Sequence, residues 1–375
     1  MNNKELTNKI INVLEEQGFK INPKIETIEN NKDVYRKLQQ KSRLEQIQLH
    51  RNFLEQNIKK IKKYMLNGNT FNPEKIELEL KEVKRDTIEE VLFKWWNLIW
   101  WSVPYQRAYG RQMRFILWDK THNAPFGLIG LQSPVLKLSV RDQYLGIPKA
   151  SLDLWINKSM QAQRLGALPP YNSLIGGKMV ALAMTSNEII EFYRKKYTGI
   201  KTRLQNRIIE PDLLFITTSS AFGRSSIYNR LKYCEQNVAI SLGYTKGFGS
   251  FHIPQELYKE IQEFLISNNI DVSTTFGKGP SRKIKLLDTA FRLLNIPNYS
   301  FHNLRREFFL FPLASNLENV ISNNDKPQYY NRSLNGLVSF WKNRWCIPRY
   351  LRYDKWEPFN PESFLLKAEQ EILNN

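Results

Sequence analysis

Apolar side chains at Leu44, Ile47, Leu54, Ile58, Ile61 and Met65 fall on alternating steps of three and four, with Arg51 filling the missing position. Neither proline nor glycine interrupts residues 32 to 66. Such a stripe gives a long helix one apolar face, which predicts a helix lying on the body of the protein or pairing as a short coiled coil. Gly68 and Pro73 close it. Directly afterwards Ile76, Leu78 and Leu80 alternate with Glu77, Glu79 and Lys81, the period of two expected of a short strand. The pattern changes again over residues 88 to 101. Val91-Leu-Phe-Lys-Trp-Trp-Asn-Leu-Ile-Trp-Trp101 is apolar almost all round, and its 11 residues fall well short of the roughly 20 that a membrane span needs. It reads as a buried helix that stops before Pro104.

The middle of the chain mixes both periods. Residues 114 to 119 and 126 to 131 are apolar runs joined by a turn with Asn123-Ala-Pro125, the pattern of a hairpin. Residues 150 to 163 and 173 to 197 are helical in period. Asp212 to Ser219 and Val238 to Tyr244 read as buried strands with a helix between them, and residues 254 to 267 as another amphipathic helix. Asn268 to Arg282 is expected to be a loop, with a flexible Gly277-Lys-Gly279-Pro280 tract. The remainder, with Arg305-Arg-Glu307 and the aromatic Phe340-Trp-Lys-Asn-Arg-Trp345, is expected to be helical. The fold class is therefore α/β in the broad α+β sense, a mixed central sheet flanked by helices. Three segments are expected: an N-terminal helical arm with a short strand over 1–90, a basic α/β core over 91–268, and a helical C-terminal extension over 269–375.

Charge adds a partner to this picture. The chain has 55 Lys and Arg against 36 Asp and Glu, a formal net charge of +19, and so lopsided a balance points to a polyanion. The excess is concentrated: residues 91 to 230 carry 19 basic and 7 acidic side chains, a net of +12, against +3 before them and +4 after. Many of those cations are arginines, whose planar fork suits phosphate. DNA or another nucleic acid is the expected partner, contacted at Arg111, Arg114, Arg141, Arg224, Arg230 and Lys246. A merely solvated basic surface is the plainer alternative. Two cysteines, Cys234 and Cys346, leave no disulfide framework, and the polar start of the chain lacks the apolar core of a signal peptide. Both favour the cytoplasm, with no membrane partner.

Two stretches carry candidate chemistry. In the first, Leu168-Pro-Pro-Tyr-Asn-Ser-Leu-Ile-Gly-Gly-Lys178, a proline-rich turn delivers glycines and a lysine into an apolar helix. A helix start of this kind offers N–H groups and positive charge to an anion, so Asn172, Gly176, Gly177 and Lys178 form a candidate cofactor-phosphate site. Met179 after the lysine excludes a Walker A loop, and the glycines equally fit close helix packing. In the second stretch, residues 217 to 230, Ser225, Ser226 and Tyr228 are expected near the C-terminal edge of the sheet, where open α/β sheets place their sites. They are the candidate catalytic groups, Tyr228 as a general acid. No G-x-S-x-G is present, and His252 is more simply a structural hydrogen-bonder. Asp119, Asp142, Glu210 and Asp212 belong to no metal motif and the four histidines are widely scattered, so no metal is expected.

These stretches, together with Gly110-Arg-Gln-Met-Arg-Phe115, Gly127-Leu-Ile-Gly-Leu131, Val140-Arg-Asp142, Gly243-Tyr-Thr-Lys-Gly-Phe-Gly249 and Arg305-Arg-Glu307, resemble the DruA family of Druantia anti-phage defence proteins over about residues 100 to 360. The resemblance implies a multi-gene antiviral system whose partners include a large helicase; it implies no known reaction. The order of elements is similar, more distantly, to the GNAT acyl-CoA-dependent N-acetyltransferase fold, with Gly176-Gly-Lys178 standing where that fold has its pyrophosphate loop, although the spacing differs. That likeness implies a GNAT-like core and acyl-CoA as cofactor. An acyltransferase or nucleobase-modifying enzyme, and an adaptor recruiting other subunits through its heptad-like helix, are the alternatives to a nucleic-acid-binding defence component.

Overall fold

The computed structural model describes residues 3–21, 25–27, 32–106, 108–202, 205–247, 251–273, 280–296, 304–352 and 358–373. In chain order the helices are α1 (Asn3–Glu16), α2 (Lys32–Leu49), α3 (Arg51–Lys62), α4 (Ile88–Ile99), α5 (Ser139–Tyr144), α6 (Leu152–Asn157), α7 (Gly176–Ala183), α8 (Asn187–Tyr197), α9 (Gln255–Ser267), α10 (Pro280–Leu293), α11 (Leu317–Asn323), α12 (Leu334–Trp341), α13 (Ile347–Arg352) and α14 (Pro361–Leu373). The strands are β1 (Phe19–Ile21), β2 (Ile25–Thr27), β3 (Leu78–Glu82), β4 (Gln112–Asp119), β5 (Ala124–Gln132), β6 (Ser159–Ala167), β7 (Phe215–Ser219), β8 (Lys232–Tyr233), β9 (Gln236–Asn237), β10 (Ile240–Tyr244) and β11 (Glu307–Pro312).

Seven strands form one mixed sheet in the order β10-β11-β7-β6-β5-β4-β3. Every pairing is antiparallel except β6 with β7. Each residue of β5 is buried, because helices cover both faces of the sheet. One face carries α7, α8 and α12 over Phe115, Phe126, Ile129 and Phe311. The other carries α4, whose Leu92, Phe93, Trp95, Trp96, Leu98 and Ile99 are buried on all sides between the sheet, α3 and α14. The expected mixed sheet flanked by helices is the architecture found.

The heptad-like stripe lies on the body. Ile47, Leu54 and Ile61 are fully buried against α4 and α14, so it is an internal seam rather than a free coiled-coil face. It is broken into α2 and α3 at His50. The first turns of α2 bury Tyr35 and Leu38 with α1, α9 and α10 in a separate helical cluster, while its far end stays on the sheet. Arg43 ties α2 to the C-terminal helix, pairing with Glu371 (Nη2 to Oε2, 2.8 Å) and donating to the carbonyls of Ile99 and Trp101. The sheet itself draws β3 from the first expected segment, β11 from the last and the remaining strands from the middle.

Several expectations are corrected. Residues 159 to 167 form a strand, not the end of a helix: Met160 and Ala162 alternate with Gln161 and Gln163, and this period of two in a buried sheet overrides the helical propensity of Met, Ala and Gln. The 173–197 helix is two helices joined through Met184–Ser186. No helix spans residues 220 to 239; Gly223, Arg230, Cys234 and Glu235 all have positive φ, which ends helical propagation four times within 13 residues. Strand β10 is a half-exposed edge strand rather than a buried one. The C-terminal extension is not wholly helical, since Glu307–Pro312 is a fully buried inner strand. The Gly277–Gly279 tract lies outside the described residues.

Close approach of β5 to α7 depends on Gly127. A Cβ there would stand 2.5 Å from Val180 Cγ2 and 2.8 Å from the Gly166 carbonyl oxygen. Because the second obstacle is backbone, Gly127→Ala is expected to lower the unfolding free energy by about 1–3 kcal/mol, read as a lower urea midpoint with an unchanged slope.

Candidate functional site

At the C-terminal ends of β7 and β10, and the N-terminal end of β11, one buried carboxylate organises the chain. Glu307 is 5% exposed. Its Oε2 accepts from the Ser225 N–H (3.1 Å) and Asn229 Nδ2 (3.0 Å), and its Oε1 from the Ser241 hydroxyl (2.9 Å). Its own N–H donates to the Gly223 carbonyl, and its carbonyl accepts from the Ser220 N–H. Arg306 extends the junction, its N–H donating to the Thr245 hydroxyl and its carbonyl accepting from the Thr245 N–H. Arg224, Arg230 and Lys246 each sit one residue from one of these tied positions. All three are exposed, and no ion pair holds any of them among the described residues.

The two stretches singled out by sequence meet here. Ile227 packs on Gly177, where a Cβ would come within 3.2 Å of Ile227 Cδ1; at Gly176 a Cβ would come within 2.5 Å of the Tyr171 carbonyl oxygen. Packing thus accounts for both glycines. Lys178 lies over the Trp345 indole, 4.6 Å from its centroid, and burial with the neighbouring Arg344 lowers its pKa. Asn172 is exposed on the preceding turn. Tyr171 is held by the buried Asp119 carboxylate (2.9 Å), which also receives His122 Nδ1 (2.7 Å).

The other basic positions are engaged by the body of the fold. Arg141 is fully buried, paired with Asp142 and donating to the carbonyls of Val135 and Leu136. Arg111 donates to the carbonyls of Ile156, Asn157 and Ser159 and to the Tyr193 hydroxyl. Arg114 faces Glu90 at 3.5 Å, beside the Phe93 ring. Of the six basic positions, Arg224, Arg230 and Lys246 are the exposed ones, each next in sequence to a residue tied to Glu307 or Arg306. Ser226 is exposed on the loop, Ser225 contributes its backbone to the Glu307 hub, and Tyr228 is buried edge-on to Phe309 and Phe311 at 5.2 and 5.6 Å.

Tyr228 also reaches a cavity of about 530 Å³ that sequence reasoning missed. It opens where β6 and β7 part. The two strands pair from Ser159 with Phe215 to Gln161 with Thr217; beyond that β6 follows β5, and β7 follows β11. The helical cluster of α1, α2 and α10 covers this fork. Arg164 stands on its wall, 3% exposed and in no ion pair among the described residues. One Nη donates to the Pro104 carbonyl at 3.3 Å, the guanidinium lies 5.4 Å from the Trp101 ring centroid, and Nε has no partner. Burial lowers its pKa to about 10. A desolvated aromatic face returns roughly 2 kcal/mol to a cation, whereas taking an ion out of water costs several, so the fold leaves this charge under-compensated. Arg306, Lys283 and His252 line the same space. Burial lowers the pKa of each, and Glu45, 3.6 Å from His252, is the one carboxylate on the wall among the described residues.

Such a cavity defines a class: a basic α/β protein with a cation-lined recess at a fork in its sheet. The family model of Druantia protein DruA matches residues 29–323. A curated relative, Druantia protein DruA of Escherichia coli (strain UMEA 4076-1), is 34% identical over 344 residues, covering 90% of this chain and 83% of that protein. The chain belongs to the Druantia DruA family, and with it to a multi-protein anti-phage defence system. No solved structure matches it significantly. Among the described residues no helix is long and apolar enough to cross a membrane.

Proposed function

We propose that this DruA-family chain engages nucleic acid directly, in the cytoplasm, beside other proteins of its defence system including the large helicase that the family resemblance implies. One observation carries the reading: Arg224, Arg230 and Lys246, scattered over 23 residues of sequence, converge on the Glu307 hub as exposed cations without acidic partners among the described residues. Phosphates binding there release counterions, so affinity falls by about 0.9 log units per contact for each tenfold rise in salt. Titrating labelled single-stranded and duplex DNA across a salt series is expected to give such a slope, made shallower by about one unit in Arg224→Ala. Affinity that ignores salt would sink the reading.

Group transfer is the second reading, favoured by the parallel fork of β6 and β7 and by the insertion of β11 between β7 and β10. The Tyr228 ring lines that fork, and its hydroxyl is protonated at neutral pH as a general acid must be; burial raises its pKa far above the ordinary value, which weakens it as a proton donor. A rise in melting temperature with millimolar acetyl-coenzyme A supports this reading; no rise counts against it.

A further inference from the structure

We propose that the recess between β6, β7 and the covering helices is a nucleotide site, taking a phosphorylated nucleoside either free or as one nucleotide of a strand. This goes beyond surface contact with nucleic acid and stands without it, because it rests on buried groups and not on the exposed cations.

Two side chains more than nine-tenths buried on this wall carry unmet polar atoms of opposite kind. Among the described residues Arg164 keeps a donor, Nε, without an acceptor, and Gln132, 7% exposed, keeps an acceptor, Oε1, without a donor. Gln39 on the covering helix α2 has a second such acceptor. Buried polar groups are almost always satisfied by protein, water or ligand, and apolar surroundings make an unmet one costly. A ligand held on this wall by Arg164 and the two amide side chains brings an anion for the arginine together with N–H or O–H donors for the amides.

The rest of the wall narrows the chemistry. Arg306 and Lys283 supply further positive charge, which the Glu45 carboxylate on the same wall offsets in part at Lys283. Lys283 donates to the Ile253 carbonyl at 3.2 Å, leaving further ammonium donors. Trp101 and Tyr105 offer aromatic surface on the same wall as Gln161, an amide able to read a donor and an acceptor together, and Gln163, whose amide nitrogen already donates to the Gln106 carbonyl. Arginine forks suit phosphate, aromatic faces suit bases, and amides suit the edges of bases. The volume of about 530 Å³ falls within the roughly 300–1,000 Å³ common for small-ligand sites. Phosphate, aromatic plane and hydrogen-bonding edge in one molecule describe a nucleotide; inorganic phosphate alone would leave the aromatic surface of Trp101 and Tyr105 uncovered.

The test compares the full chain with Arg164→Met and Gln132→Met by thermal melting and by calorimetric titration. The probes are a panel of four nucleoside 5′-monophosphates, the parent nucleosides, inorganic phosphate and a single-stranded oligonucleotide. At least one monophosphate, or the oligonucleotide, is expected to raise the melting temperature of the wild type and to bind at least tenfold more weakly to Arg164→Met. The ligand-free Arg164→Met protein is expected to melt no lower than wild type, because an apolar side chain of similar length replaces an unpaired buried charge. Binding of a monophosphate assigns the site to a free nucleotide. Binding of the oligonucleotide but of none of the monophosphates, weakened at least tenfold in Arg164→Met, assigns it to a strand-borne nucleotide. Should Arg164→Met melt well below wild type, Gln132→Met takes its place in the comparison. No protection by either kind of probe, protection by inorganic phosphate equal to that by the nucleotides, or protection unchanged in both variants overturns the proposal.

Discussion

Trp341→Ala is expected to lower the unfolding free energy by about 3–5 kcal/mol. Trp341 is fully buried in the core on the α7 face of the sheet, its ring meets Phe126 edge-on at 5.3 Å, and its indole N–H donates to the Ile175 carbonyl at 3.2 Å. Truncation opens a cavity the size of an indole in packing that relaxes only in part. It also releases one bond to Ile175, which holds a left-handed conformation just ahead of Gly176; the Lys178 N–H remains as a partner of that carbonyl. Trp341→Phe keeps most of the ring volume and is expected to recover more than half of the loss. Urea unfolding monitored by far-UV circular dichroism separates the two variants, and equal midpoints would show that the hydrogen bond, not the packing, dominates.

Glu307→Ala is expected to cost about 3 kcal/mol. The buried carboxylate accepts three side-chain or loop donors, and a buried donor left without an acceptor costs roughly 1–3 kcal/mol. The exposed Ser241 hydroxyl can turn to water, which holds the total near the lower end of that sum. Glu307→Gln discriminates further. A glutamine carbonyl can replace Oε2 towards Ser225 and Asn229, while its amide donates to the Ser241 hydroxyl, so this variant is expected to lose about 1 kcal/mol or less. Because the same carboxylate fastens the residues flanking Arg224 and Arg230, Glu307→Ala is also expected to weaken DNA binding more than its loss of stability explains. Unfolding curves and binding isotherms, both recorded below the unfolding transition, check this.

How far the sequence reveals this arrangement differs from element to element. Where one period dominated, it was enough: the α4 run of Trp and Leu, the β4–β5 hairpin and the α9 amphipath all lie within a few residues of their expected bounds. Where burial decides against local propensity, it was not. Met160, Ala162 and the glutamines between them favour a helix locally, and only the neighbouring β5 and β7 make them a strand. The run Phe308-Phe-Leu-Phe311 was the available signal for β11, but four apolar residues next to charged Arg305-Arg-Glu307 do not distinguish a central strand from a helical turn.

The candidate site divides in the same way. Arg224 and Arg230 were legible because an arginine-bearing loop of small polar residues after a strand already suggests an exposed edge. Glu307 was noticed only as part of a charged triplet, 77 residues beyond Arg230 in sequence, and its role appears once β11 inserts beside β7. Arg141 and Arg164 look like the other central arginines in sequence, yet one is neutralised by Asp142 and the other faces the fork without a carboxylate. No spacing rule separates them, since the difference lies in which wall the fold assigns to each.

The central claim is that the cations around the Glu307 hub hold nucleic-acid phosphates. It is tested most directly by the salt dependence of duplex DNA binding in the wild type and in the triple variant Arg224→Ala, Arg230→Ala, Lys246→Ala. If all three contact phosphate, the slope of log affinity against log salt becomes shallower by about 2.7, at roughly 0.9 per contact. An identical slope in both proteins, at equal stability, would contradict it.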